Sequence, residues 1–276
     1  MIFLARFSIA PRPIPTCYPV SRWVQDAGVT NQTKTASSLD QVVLGNPSYV
    51  WRFGQERRLD MIRRYLPLED ARVLDIGCGL GAYLNRIGAF TDRAYGIDID
   101  QPRVVEGAEN GIPGMAVALS ESLPFADGVF DGVLLNEVIE HVGNDRDTLR
   151  EALRVTRRGG RIVIFAPNRF YPFETHGIYI GNRYVFGNIP VVNYLPDPLR
   201  NRLVPHARAY TKAGLESITA GLPARWVSWS VIFPGFDNVL ARRPALGKAL
   251  RGATYALEHN WLKRLGLSHL LILERL

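Results

Sequence analysis

An α/β fold on a mostly parallel sheet is what this chain predicts, and three observations carry it. Strand-like and helix-like segments alternate from about 72 to 166, at the spacing that right-handed βαβ crossovers need. An apolar strand at 72–76 runs directly into the glycine turn Gly77-Cys78-Gly79-Leu80-Gly81. Asp75, Asp98 and Asn136 fall where strands end, and open sheets of this kind take ligands beyond the carboxyl ends of their strands.

Residues 1–45 are rich in Pro, Ser, Thr and Asn without periodic signal and read as a flexible arm, leaving 46–276 as the folded domain. Phe53, Leu59, Ile62 and Leu66, with Arg57, Arg58, Arg63 and Arg64 between them, predict an amphipathic helix over 51–66 closed by Pro67. The expected order is then strand 72–76, helix 82–88, strand 94–98, helix 102–109 capped by Asp100, strands 115–118 and 132–135, helix 145–155 and strand 161–166. From about 168 to 210 the chain is aromatic, Gly- and Pro-rich and aperiodic. It is too long for a plain connection and reads as a substrate cap with short helices. A helix at 211–220, capped by Thr211 and ended by Gly221, precedes a strand at 225–230, and 270–275 reads as a final strand.

With 276 residues and 47% apolar composition, the chain suits one large domain with additions. Two cysteines, Cys17 and Cys78, imply no disulfide framework and fit a reducing, cytoplasmic setting. The formal charge is +7, and the basic segment 236–276 concentrates it: from Ala241 onward seven Lys/Arg face two acids. Such a segment is a solvated helical face, a peripheral contact with an anionic membrane or a contact with an acidic substrate. Aromatics do not interleave with these bases, which argues against nucleic acid. No apolar run approaches the ~20 residues that span a bilayer. The first ten residues are apolar but broken by Arg6, and Pro11, Pro13, Pro15 and Pro19 favour an extended lead-in over a targeting segment.

The glycine turn has the shape of a nucleotide-cofactor site, because its backbone comes close to a ligand and a helix opens just behind it. Gly77, Gly79 and Ala82 satisfy the dinucleotide fingerprint, and Asp98 stands where that motif's ribose-binding acid is expected. A nicotinamide oxidoreductase is therefore the first rival. Asp75 weighs against it: a pyrophosphate gains nothing from a carboxylate at the turn, whereas a sulfonium cofactor with an ammonium group does.

The segment from Leu123-Pro124-Phe125 through Asp131 to Asn136-Glu137-Val138-Ile139-Glu140-His141, together with 73–84, Gly96-Ile97-Asp98-Ile99-Asp100 and 158–164, resembles the class I S-adenosylmethionine-dependent methyltransferases, in particular the type 11 group. The resemblance implies a Rossmann-like three-layer α/β/α fold whose seven-stranded sheet is parallel except for an antiparallel last strand. It also implies that S-adenosyl-L-methionine is held by Asp75, Gly77, Cys78, Gly79, Gly81 and Ile99, with Asp98 at the ribose and Asn136 beside the cofactor. The family often carries an acid where Leu119 stands; Ser120, Glu121 or backbone carbonyls are the alternatives for meeting adenine.

Two subfamilies, the ubiquinone-pathway O-methyltransferases and the small-RNA 2′-O-methyltransferases, use a similar Glu-x-x-Glu-His run and a further histidine to hold a divalent metal. Carried over, that set is Glu137, Glu140, His141 and His206, with Mg²⁺ as the ion. The competing readings are loop packing and a metal-free base at His141, His206 or Glu137. His176 lies in the expected cap without a decided role. A hydroxyl on a small or lipid- or sugar-linked molecule is the expected acceptor; RNA, a nicotinamide reaction and a non-catalytic partner subunit are the alternatives.

Overall fold

The computed structural model describes residues 52–276, so the flexible arm expected at 1–45 lies outside the described residues. The chain begins with α1 (Phe53–Tyr65), followed by β1 (Val73–Ile76), α2 (Ala82–Ile87), β2 (Ala94–Asp98), α3 (Gln101–Glu109), β3 (Met115–Val117), β4 (Phe130–Asn136), α4 (Asp145–Val155) and β5 (Thr156–Pro167). These match the expected elements to within a few residues, except that β5 starts earlier. Asp100 caps α3 by accepting from the Arg103 amide, as its position implied.

The sheet runs β10-β11-β5-β4-β1-β2-β3, where β10 is Ala224–Ile232 and β11 is Ser268–Arg275. Strands β1 to β5 pair in parallel, and β11 runs antiparallel between β5 and β10. Alternate side chains of the central strands go to opposite faces, because a strand's side chains alternate. Leu74, Val133, Leu135 and Ile164 pack with Leu149 and Leu153 of α4, while Val73, Leu134, Val163 and Phe165 pack with Leu59 and Ile62 of α1. Burial on both faces explains why these strands read as continuous apolar runs.

The insertion departs from expectation. It holds two small antiparallel pairs, β6 (Phe173–Glu174) with β9 (Ile189–Pro190) and β7 (Ile178–Ile180) with β8 (Arg183–Val185), then α5 (Asp197–Leu203). Strands of two or three residues are too short to show a period. Helix α6 (Lys212–Thr219) follows, capped by Thr211 as expected.

The basic segment forms α7 (Asp237–Arg242) and α8 (Pro244–Leu257). Arg242, Arg243, Lys248 and Arg264 are exposed. Arg251 instead lies 3.8 Å over the Phe53 ring, and Arg275 donates to the Arg154 carbonyl at 2.7 Å. No described helix is long and apolar enough to cross a membrane.

Candidate functional site

A cavity of about 1160 Å³ opens at the carboxyl ends of β1, β2 and β4, where Ile76, Asp98 and Asn136 terminate their strands. Gly77, Gly79 and Gly81 all take positive φ (73°, 56° and 78°). At Gly77 the need is double, since an added Cβ would also lie 2.4 Å from Val138 Cγ2. Gly81 turns the chain as the N-cap residue of α2 and is not in the cavity wall. Cys78 lines the wall, and burial pushes its thiol well up, so it is an inert small residue.

The Gly79 amide donates to Asp98 Oδ2 at 2.7 Å, and the Asp100 amide donates to Oδ1 at 2.9 Å. Each oxygen keeps a lone pair for a ligand hydroxyl. Asp75 is 3% exposed, and its carboxyl pKa is pushed up to about 8, first by burial and then by the negative charge of Asp98. Two adjacent acids in a cavity wall are a receptor for a cation. Ile99 and Leu119 line the same cavity with large exposed apolar side chains. Beside them Ser120 Oγ donates to Glu121 Oε2 at 2.8 Å, and Glu121 Oε1 accepts from the Asn144 amide at 3.1 Å.

Glu137 follows β4 at φ +56° and meets a partner that the sequence did not reveal. Arg58 of α1 donates to Glu137 Oε1 at 2.6 Å, to Asn136 Oδ1 at 2.7 Å and to Ser268 Oγ at 2.9 Å, and Ser268 itself donates to Glu137 Oε1. Burial opposes ionisation of Glu137, but Arg58 and Ser268 outweigh it and hold the carboxyl below its ordinary value. A carboxylate so engaged is a weak base.

Glu140 behaves oppositely. It is 2% exposed, neither oxygen has a hydrogen-bond partner among the described residues, and burial, then the Glu137 charge, raises its pKa well above normal. Two imidazole nitrogens approach it: His141 Nε2 at 3.9 Å and His176 Nε2 at 3.8 Å from Glu140 Oε1. His141 Nδ1 is 3.0 Å from the His206 carbonyl and His176 Nδ1 is 2.9 Å from Glu174 Oε1. Both contacts call for a proton on Nδ1, which leaves Nε2 as a lone pair on each ring. Glu174 is fixed in turn by buried Arg200, which donates to its Oε2 at 2.8 Å. Burial works against ionisation of Glu174, yet hydrogen bonds from His176 and the Arg200 charge hold its pKa at about 2. Burial, reinforced by His176, lowers His141 to about 4.

Among the described residues, the group able to hold a metal is thus Glu140, His141 and His176, whose ligand atoms lie within 4.8 Å of one another. Glu137 and His206, both in the set carried over from the resemblance, stand outside it. Glu137 is tied to Arg58, and His206 turns Nε2 to the His176 carbonyl at 3.0 Å and packs its ring near Tyr179 and Tyr184. His141 and Glu137 line the cavity; Glu140 and His206 do not. The Glu174-Thr175-His176 spacing offered a faint signal for the carboxylate that orients His176. Nothing local marked Arg58, Arg200 or Ser268.

The family model described as "Methyltransferase domain" matches residues 74–164. A demethylmenaquinone methyltransferase of Beutenbergia cavernae is 30% identical over 171 residues, covering 55% of this chain and 71% of that one. A ubiquinone biosynthesis O-methyltransferase of Parvibaculum lavamentivorans is 32% identical over 133 residues, 46% of this chain and 52% of its own. The chain spans about half the length of several of the curated relatives it matches. Among solved structures, an S-adenosylmethionine dependent methyltransferase from Mesorhizobium loti shares the fold, with a TM-score of 0.54 at 16% identity over 78% of this chain and 96% of that one.

Proposed function

The chain belongs to the class I S-adenosylmethionine-dependent methyltransferases of the type 11 group, and on that premise we propose that it methylates a hydroxyl of a small or lipid-linked acceptor. The observation that carries the cofactor assignment is the buried Asp75 and Asp98 pair behind the glycine turn. It favours a cation and disfavours the pyrophosphate of a nicotinamide cofactor. The quinone-pathway names of two relatives support a ring hydroxyl or ring carbon as the acceptor class.

When bound, the cofactor supplies a sulfonium methyl: the acceptor oxygen bonds to it as the C–S bond breaks, the electron pair going to sulfur. The protein's share is to hold donor and acceptor in line and to take up the hydroxyl proton. We assign that uptake to His141, which lines the cavity and carries an unprotonated Nε2; burial keeps it a weak base. Glu140, His141 and His176 also fit a divalent cation, through an orphaned buried carboxylate and two presented imidazole lone pairs. Such an ion would lower the pKa of an acceptor hydroxyl.

Calorimetry with S-adenosylhomocysteine and with NAD tests the reading. Saturable binding of the first and none of the second is expected; the reverse would overturn it.

A further inference from the structure

The insertion carries an apolar surface that its own small core does not use. Ile178, Val192, Val204 and Ala207 form that core, while Phe170, Phe173, Val191 and Tyr194 stay 39–58% exposed. These four come from neighbouring backbone: the Tyr194 phenol donates to the Phe170 carbonyl at 2.9 Å, Phe173 pairs with Pro190, and the Val191 amide donates to the Pro172 carbonyl at 2.9 Å. Phe186, 69% exposed, carries the insertion's apolar surface to the rim of the main cavity, whose wall it lines. Val191 sits at φ +69°, a region that β-branched residues rarely enter. Strain held at an exposed apolar side chain gains nothing for the isolated fold and points to a use for that surface.

The unpaired charges beside it are cations. Both acids of the insertion are engaged, Glu174 buried against Arg200 and Asp197 bonded to Arg169 at 2.9 Å, whereas Arg183 and Arg202 are exposed and make no ion pair among the described residues. A cavity of about 360 Å³ has Tyr171 and Phe173 in one wall and Phe236 to Val239 in another, so the insertion adjoins α7, on which α8 packs through Gly247 against Leu240. There Asp237 and Glu258 turn inward, to the Gly54 amide at 3.2 Å and to Arg57 at 2.5 Å. Ala245, Ala249, Ala253 and Ala256 give α8 an apolar outer face beside exposed Arg242, Arg243 and Lys248.

Apolar and aromatic side chains among unpaired Lys and Arg, with the acids withdrawn, compose a membrane-interfacial surface. A second copy of the chain fits poorly, since a two-fold contact would set these cations against their own counterparts. Single-stranded nucleic acid is met by stacked rings in a basic groove; here aliphatic Val191 and the alanine face of α8 share the surface with the rings.

We propose that the outer surface of the insertion and of α7 and α8 is a docking face for an anionic lipid bilayer. Phe170, Phe173, Val191 and Tyr194 enter the headgroup boundary, and Arg183, Arg242, Arg243 and Lys248 meet lipid phosphates. Through Phe186 the face reaches the rim of the main cavity. It stands on exposure and charge alone and is independent of the acceptor reading above.

The full chain is sedimented with vesicles of phosphatidylcholine alone and of equal parts phosphatidylcholine and phosphatidylglycerol. Saturable binding to the anionic vesicles is expected, falling with salt and weak on the neutral ones. Arg242→Glu/Lys248→Glu should weaken it about tenfold. Val191→Asn should weaken it roughly threefold while raising the melting temperature, since Asn tolerates the left-handed φ. Arg242 and Lys248 are solvent-facing, so the charge variant decides even where Val191→Asn fails to fold. No binding by a folded wild type, or an affinity unchanged in either folded variant, overturns the docking face. A wild-type dimer that Val191→Asn dissociates assigns the surface to a second copy and overturns it too. So does tighter binding of single-stranded oligouridylate than of anionic vesicles, weakened by the same variants. Calorimetry with S-adenosylhomocysteine reads the methyltransferase assignment separately.

Discussion

The amide of Gly79 and the carboxylate of Asp98 are joined by a 2.7 Å hydrogen bond, so the turn after β1 and the end of β2 form one unit. Asp98→Ala removes both the ligand-facing oxygens and this anchor. S-adenosylhomocysteine binding should weaken by ~1.5–3 kcal/mol, the size of hydrogen bonds to a charged group. Calorimetry showing an unchanged affinity would mean that the ribose lies elsewhere.

Asp75 gives the cavity a pH signature. Its carboxyl titrates at about 8 because of burial and the Asp98 charge. A bound sulfonium and ammonium would favour the carboxylate and lower that value, so binding below about pH 8 releases a proton. Affinity for S-adenosylmethionine should therefore climb from pH 6 to pH 8 and level off above. Asp75→Asn should flatten the profile while lowering affinity throughout.

Gly77→Ala introduces a Cβ 2.4 Å from Val138 Cγ2 at a φ of +73°. The backbone strain alone is ~1–3 kcal/mol, and thermal unfolding should show a loss of several degrees. Adding Val138→Ala should recover only part of it, because the clash is relieved and the dihedral is not.

Arg58→Met would leave the partly buried Glu137 carboxylate beside Glu140 without its cation. Breaking such a pair from one side costs on the order of 3 kcal/mol. Urea unfolding should show the double variant Arg58→Met/Glu137→Gln to be more stable than Arg58→Met alone.

Mn²⁺ or Zn²⁺ should raise the melting temperature, since an ion held by the native chain alone stabilises it. Glu140→Gln and His176→Ala should abolish the increment, and His206→Ala should keep it. The opposite pattern for the two histidines would restore the metal set inferred from sequence.

What sequence alone determined is local and periodic. The glycine turn, Asp75 before it, Asp98 at the end of its strand and the Asp100 cap are each specified by neighbours within a few residues, and the structure has them at one end of one sheet. The strands were legible because burial on both faces leaves unbroken apolar runs. Tertiary structure decided which histidine faces Glu140, and that Glu137 answers to Arg58. His176 reaches Glu140 because Arg200 and Glu174 fix it from within the insertion, a chain of contacts among residues 140, 174, 176 and 200. His206, at a spacing that resembles the family's, is turned aside by a hydrogen bond to the His176 backbone. Contacts so far apart along the chain leave no periodic trace, since charge pairing and burial depend on where the fold brings side chains and not on how the residues are spaced.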